Sequence, residues 1–163
     1  MKAAELSGVA ASMILAGFAM TAGAEPAKEL DVYKSSLGKF ACDAKETGSG
    51  KTFKTQVEKT VLDGNTYMER YTETKSADHP SPWNAVFLMS YDAGSKQWVR
   101  NGVDNNGDRN SGTSAGWQGD TWTWDVGGAL IVIDRKGNAF NYAVDVKKDG
   151  KLDRVVSATC KKI

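Results

Sequence analysis

The sequence predicts an all-β protein, an antiparallel up-and-down barrel of about ten strands with a short N-terminal helix. Three observations carry that prediction. From residue 39 onward, short segments alternate apolar and polar residues; tight Gly, Asn and Asp turns separate them; and the two cysteines, Cys42 and Cys160, fall near the two ends of this region.

Along the chain, 27–36 is the only stretch past the first 24 residues with helical character. Leu30, Tyr33, Lys34 and Leu37 follow a helical spacing, and Gly38 is a natural stop. Strands are expected over 39–45, 51–62, 65–74, 84–91, 96–103, 112–117, 121–126, 129–134, 139–147 and 151–161. Between them lie turns such as Asp63-Gly64, Asn106-Gly107, Gly127-Gly128 and Asp149-Gly150. Phe140, Tyr142, Val144 and Val146 share one face of their strand, with Asn141, Ala143 and Asp145 on the other. Segments 86–89 and 130–133 are apolar on both faces. A meander of that length avoids exposed edges by curling into a barrel.

The first residues read as a secretory signal. Lys2 precedes an apolar run over 8–20, and Ala22-Gly23-Ala24 supplies the small residues a signal peptidase prefers. The run is shorter than the roughly 20 apolar residues a spanning helix needs. Residues 1–24 are therefore expected to be removed and 25–163 to form one domain, periplasmic or secreted and not membrane-bound after processing. In an exported chain, an even cysteine count implies a Cys42–Cys160 disulfide, the alternative being two buried thiols. Such a bond would bring the first and last strands side by side, as a closed barrel requires.

The net charge of +1 leaves no footprint for nucleic acid. Two cysteines and one histidine give no credible zinc or iron–sulfur ligand set, so neither a metal nor a cofactor is expected.

Leu37-Gly38-Lys39-Phe40, entering the first strand after a short helix, resembles the Gly-x-Trp entry of lipocalin-like (calycin) barrels, with Phe40 where those carry Trp. Ser90-Tyr91-Asp92, Trp98-Val99-Arg100, Asn105-Asn106-Gly107, Ser114-Ala115-Gly116-Trp117 and Gly119-Asp120 resemble a bacterial exported family of unknown function that shares this barrel. The resemblance implies a barrel with room for an interior cavity, and no particular activity.

No catalytic constellation is visible. His79 lies in Asp78-His79-Pro80-Ser81-Pro82, where two prolines favour an extended loop, and no Gly-x-Ser-x-Gly elbow accompanies it. Asp104, Asn106 and Asp108 open like a calcium loop. Arg109 then replaces the turn glycine and Ala115 the bidentate Glu, which leaves a polar hairpin turn as the better account. The chain thus reads first as a binding protein, and an enzyme on the same barrel, which lacks any visible nucleophile–base pair, is the third reading.

The five tryptophans, Trp83, Trp98, Trp117, Trp122 and Trp124, lie within 83–124 and read either as core or as an aromatic pocket wall. On 65–74, Tyr67, Glu69, Tyr71 and Glu73 alternate with Thr66, Met68, Arg70 and Thr72, so either set carries a charge inward. Arg100 shares a face with Trp98. A cation inside a barrel needs a carboxylate, water or an anionic ligand. The leading expectation is a small-molecule binding protein taking an anionic or amphipathic ligand at Arg70, Trp98, Arg100, Trp117 and Trp122. The alternatives are an internal Glu–Arg bridge in a filled barrel and, for function, a protein-binding module such as a periplasmic protease inhibitor.

Overall fold

The computed structural model describes residues 31, 33–63 and 66–163, which form eleven antiparallel strands in a single sheet. In chain order these are β1 (Gly38–Glu46), β2 (Thr52–Asp63), β3 (Thr66–Glu73), β4 (Asn84–Asp92), β5 (Gln97–Asp104) and β6 (Arg109–Ser114). They continue with β7 (Trp117–Gln118), β8 (Thr121–Asp125), β9 (Ala129–Lys136), β10 (Ala139–Lys148) and β11 (Lys151–Lys162). Neighbouring strands pair in chain order from β1 to β6 and from β8 to β11. Two pairings close the circle: β1 with β11, and β6 with β8 through Thr113 and Asp125. The result is a ten-stranded barrel with β7 as an extra strand on β8.

The alternation of the sequence is the alternation of the wall. Along β2, Phe53, Thr55, Val57 and Lys59 are buried. Along β4, Ala85, Phe87 and Met89 are buried, whereas Leu88, between two of them, is exposed. That resolves the all-apolar run over 86–89: a barrel strand has one inner and one outer face, whatever its composition. Cys42 and Cys160 are register partners, with Cα atoms 4.0 Å apart, and form a disulfide. The first and last strands are thus joined both by their ladder and covalently.

Two expectations need adjustment. The segment expected as one strand over 112–117 is divided between β6 and β7. Gly116 takes a left-handed φ of 82°, and its N–H is drawn to Ser114 Oγ at 3.0 Å, which breaks the extended run. Of the helix expected over 27–36, residues 27–30 and 32 lie outside the described residues; Tyr33, from its second half, is 3 % exposed and belongs to the core.

Tyr33 closes one end of the barrel. Its ring lies 4.6 Å from that of Tyr67, 5.2 Å from Trp98 and 5.6 Å from Trp122, and its hydroxyl meets the Met89 sulfur at 3.4 Å. Trp122 in turn packs on Trp98 and Trp124. This aromatic floor accounts for most of the tryptophans. Large aromatic side chains bury much area, and edge-to-face packing adds to it.

Candidate functional site

Above the floor sits a layer of charge. Lys59 on β2 and Glu69 on β3 are direct register partners, and their side chains form an ion pair at 3.2 Å inside the barrel. Lys59 is 5 % exposed, with its ammonium 5.2 Å from the centre of the Phe140 ring and 5.8 Å from that of Tyr33. Burial pushes the Glu69 carboxyl up, but Lys59 and Arg100 together outweigh it and hold it below its ordinary value.

Arg100 on β5 is 4 % exposed. Its guanidinium lies 3.7 Å from the centre of the Phe87 ring and 5.5 Å from that of Trp124. Glu69 attracts it electrostatically, yet the close ion pair of Glu69 is with Lys59. Among the described residues, Nε of Arg100 has no hydrogen-bond partner. Burial lowers the guanidinium's pKa against the pull of Glu69, but an arginine remains charged in proteins. Among the described residues the interior therefore holds two cations, Lys59 and Arg100, and one carboxylate, Glu69, at this level.

Beyond the charged layer lies a cavity of about 170 Å³. Lys59, Glu69 and Arg100 border it at one side. Its walls are Phe53, Val57, Phe87, Ile131, Ile133, Phe140, Val144 and Val156, with Tyr71, Tyr142, Trp83 and Glu73 completing the lining. Polar groups are thus few and convergent in an otherwise apolar space, the usual make-up of a small-molecule site.

Tyr71 and Tyr142 stand on opposite walls, and their hydroxyls hydrogen-bond to one another. Burial pushes both phenols up, Tyr71 strongly and Tyr142 to about 12. The segment 74–83 is pinned against the cavity by Glu73. Oε2 of Glu73 accepts the Trp83 backbone N–H at 2.6 Å and sits 2.5 Å from His79 Nε2. The His79 ring stacks on Phe53 at 4.8 Å. Trp83 Nε1 donates to Asp104 at 2.8 Å, and Asp104 also accepts the N–H groups of Asn106 and Asp108. The acidic residues of that hairpin thus serve a turn and an indole.

The sequence-predicted site residues separate into three places. Arg100 borders the cavity. Trp98 and Trp122 are buried in the floor beneath it, and Trp117 is half-buried beside Trp122, with the Arg135 guanidinium 4.0 Å over its ring. Arg70 lies elsewhere. It is exposed on the outer face of β3, opposite Glu58 of β2, because the set Tyr67, Glu69, Tyr71 and Glu73 is the one that faces inward. Sequence reasoning missed Lys59, Phe87, Tyr71 and Tyr142. A signal existed for Lys59: it continues the period-two set Phe53, Thr55, Val57 on its strand.

No family model and no curated protein matches the sequence. Among solved structures, the crystal structure of Rv2717c from M. tuberculosis is similar, with a TM-score of 0.64 at 11% identity over 84% of this chain and 98% of that one. Zebrafish ileal bile acid-binding protein complexed with cholic acid is similar with a TM-score of 0.53 at 13% identity, over 79% of this chain and 99% of that one. At these identities the likeness is one of fold, a closed antiparallel β-barrel that this chain shares with a bile acid-binding protein.

Proposed function

We propose that this chain is an exported binding protein for a small amphipathic carboxylate, held inside the barrel with its anionic head at Arg100 and its apolar body in the cavity. One observation carries the reading: a buried guanidinium borders an apolar cavity, and its Nε lacks a hydrogen-bond partner among the described residues. Glu69 does not fill that role, because Lys59 holds it. A buried guanidinium with an unpartnered N–H is costly, and an incoming carboxylate would offset the cost. The cavity is close in size to one of 150 Å³ known to take benzene, so it suits a ring-sized apolar group. The bound cholic acid of the bile acid-binding protein is an instance of an amphipathic ligand in a barrel of this fold.

A protein-binding module would suit a filled barrel with an exposed apolar patch around Trp83. Trp83 instead lines the cavity, its ring tilted against those of Tyr71 and Phe87 and hydrogen-bonded to Asp104, which supports the small-molecule reading. Export belongs to the same proposal. The Cys42–Cys160 disulfide suits a periplasmic or secreted protein.

The test is a tryptophan-fluorescence titration with benzoate, phenylacetate and hexanoate beside the corresponding neutral alcohols. Carboxylates are expected to bind and alcohols not. Arg100→Met should weaken binding about ten- to a hundredfold, the worth of a charge-assisted hydrogen bond at roughly 1.5–3 kcal/mol. Without ligand the same variant should be as stable as the parent or more so, since it replaces a poorly partnered buried cation by an apolar chain. A large loss of stability, with no carboxylate response from the parent, would sink the proposal.

A further inference from the structure

The ligand proposed above accounts for Arg100 but not for the second polar station of the same cavity. Tyr71 and Tyr142 reach it from opposite walls, β3 and β10, with ring centres 6.2 Å apart and an interplanar angle of 81°. Two bonded hydroxyls use one hydrogen between them, which leaves one more hydrogen and lone pairs on both oxygens. Thr55, buried beside them, adds a third hydroxyl to the cluster.

The two stations are set apart along the barrel. The Arg100 guanidinium stacks on Phe87, which is the register partner of Glu69. Tyr71 is the next inward residue after Glu69 on β3, about 7 Å further on. Charge separates them as well. The cation side holds Lys59 and Arg100, whereas the next inward residue beyond Tyr71 is Glu73, a carboxylate. An anion at the hydroxyl cluster would face Glu73, so what suits that end is an uncharged oxygen.

Resting on the reading that a carboxylate seats at Arg100, we propose that the ligand is a hydroxy- or oxo-carboxylate. Its second, neutral oxygen hydrogen-bonds to the Tyr71–Tyr142 hydroxyl pair across a ring-sized apolar body. Both phenols stay protonated at any physiological pH, because burial raises them, Tyr142 to about 12. The pair therefore presents a donor as well as acceptors, and it can read a carbonyl or a hydroxyl.

The experiment compares matched ligands on the full chain by fluorescence titration: benzoate with para-hydroxybenzoate, phenylacetate with para-hydroxyphenylacetate, and hexanoate with its terminal hydroxy analogue. In at least one pair, the oxygenated member should bind about two- to tenfold tighter, the range of one neutral hydrogen bond. Tyr71→Phe and Tyr142→Phe, made singly and together, should bring that ratio to one. The ratio is taken within each variant, so a change in folded fraction cancels from it. If the plain acids bind and no oxygenated partner gains, the second station is refuted and the Arg100 site stands. A ratio that survives in the double variant places the oxygen elsewhere and also refutes it. If no acid of any pair binds, the Arg100 reading falls and this inference falls with it.

Discussion

Gly102 on β5 is the register partner of Phe87 on β4, and the space a side chain would take at Gly102 is the space the Phe87 ring occupies. A Cβ built on Gly102 would stand 2.2 Å from Phe87 Cδ1 and 2.5 Å from the Val86 carbonyl oxygen. The ring so accommodated is the one on which the Arg100 guanidinium stacks. The glycine thus acts on the charged layer through one intermediate, the ring that flanks the guanidinium.

Gly102→Ala is therefore expected to destabilise the fold by about 1–3 kcal/mol, as overpacking does in a tight core. It should also weaken carboxylate binding by pushing Phe87 against Arg100 and into the cavity. Urea unfolding and a fluorescence titration on the purified variant check the two effects. An unchanged unfolding midpoint would show that the wall yields there at no cost.

Among the described residues Glu69 is the carboxylate that faces both Lys59 and Arg100, so Glu69→Gln leaves the two cations without their counter-charge. The expected loss is about 3–5 kcal/mol, the usual consequence of removing one partner from a buried pair. The native pKa of Glu69 lies below its unfolded value. Its contribution is thus complete above the ordinary carboxylate range, about 4.3, and is lost as pH falls through the lower folded value. Parent and variant stabilities should converge on acidification below pH about 4 in chemical-denaturation curves. Parallel curves would mean that Glu69 is not coupled to the cations as its geometry indicates.

Tyr142 makes the opposite prediction at alkaline pH. Its phenol is pushed up to about 12 in the folded state, burial being the chief cause. Its contribution is intact below the unfolded value of about 10 and is lost as pH rises from there through the folded value. Tyr142→Phe should flatten the fall in stability between pH 10 and 12, while ultraviolet titration of the parent should show a tyrosine that ionises late. A phenol spectrum with all five tyrosines titrating together near their ordinary value would contradict it.

Removing the disulfide acts on the unfolded chain more than on the barrel. Cys42 and Cys160 are 118 residues apart, so reduction frees a long loop in the denatured state. Cys160→Ala is expected to lower stability by about 2–5 kcal/mol, read from urea midpoints with and without reductant. The variant should no longer respond to reductant, whereas the parent should.

Processing after Ala24 is the remaining expectation. Edman or mass-spectrometric sequencing of exported protein should find Glu25 first, and a start upstream of it would overturn the assignment.

What the sequence indicated by itself was the local order: strand segments separated by turns, with 112–117 expected as one strand where the structure has two, and a Cys42–Cys160 pairing for which two buried thiols were the alternative. Those rest on period-two alternation, on Gly, Asn and Asp at tight turns, and on the short list of partners available to a cysteine. It did not determine which face of 65–74 turned inward, because Glu69 and Arg70 are adjacent and each face carries a charge. That choice needed the register of β2 against β3. The register sets Lys59 opposite Glu69 inside and Glu58 opposite Arg70 outside, so Glu69 and Arg70 each meet an opposite charge across the ladder. The candidate site was likewise only half legible. Arg100 could be read from its own strand, but the rings it meets, Phe87 and Trp124, come from β4 and β8, and the cavity is bordered by residues from β2, β3, β4, β5, β9, β10 and β11, between Phe53 and Val156. Alternation tells a residue which side of its own strand it faces. Only closure of the sheet decides which residues from seven strands meet across the interior, and whether they leave a space.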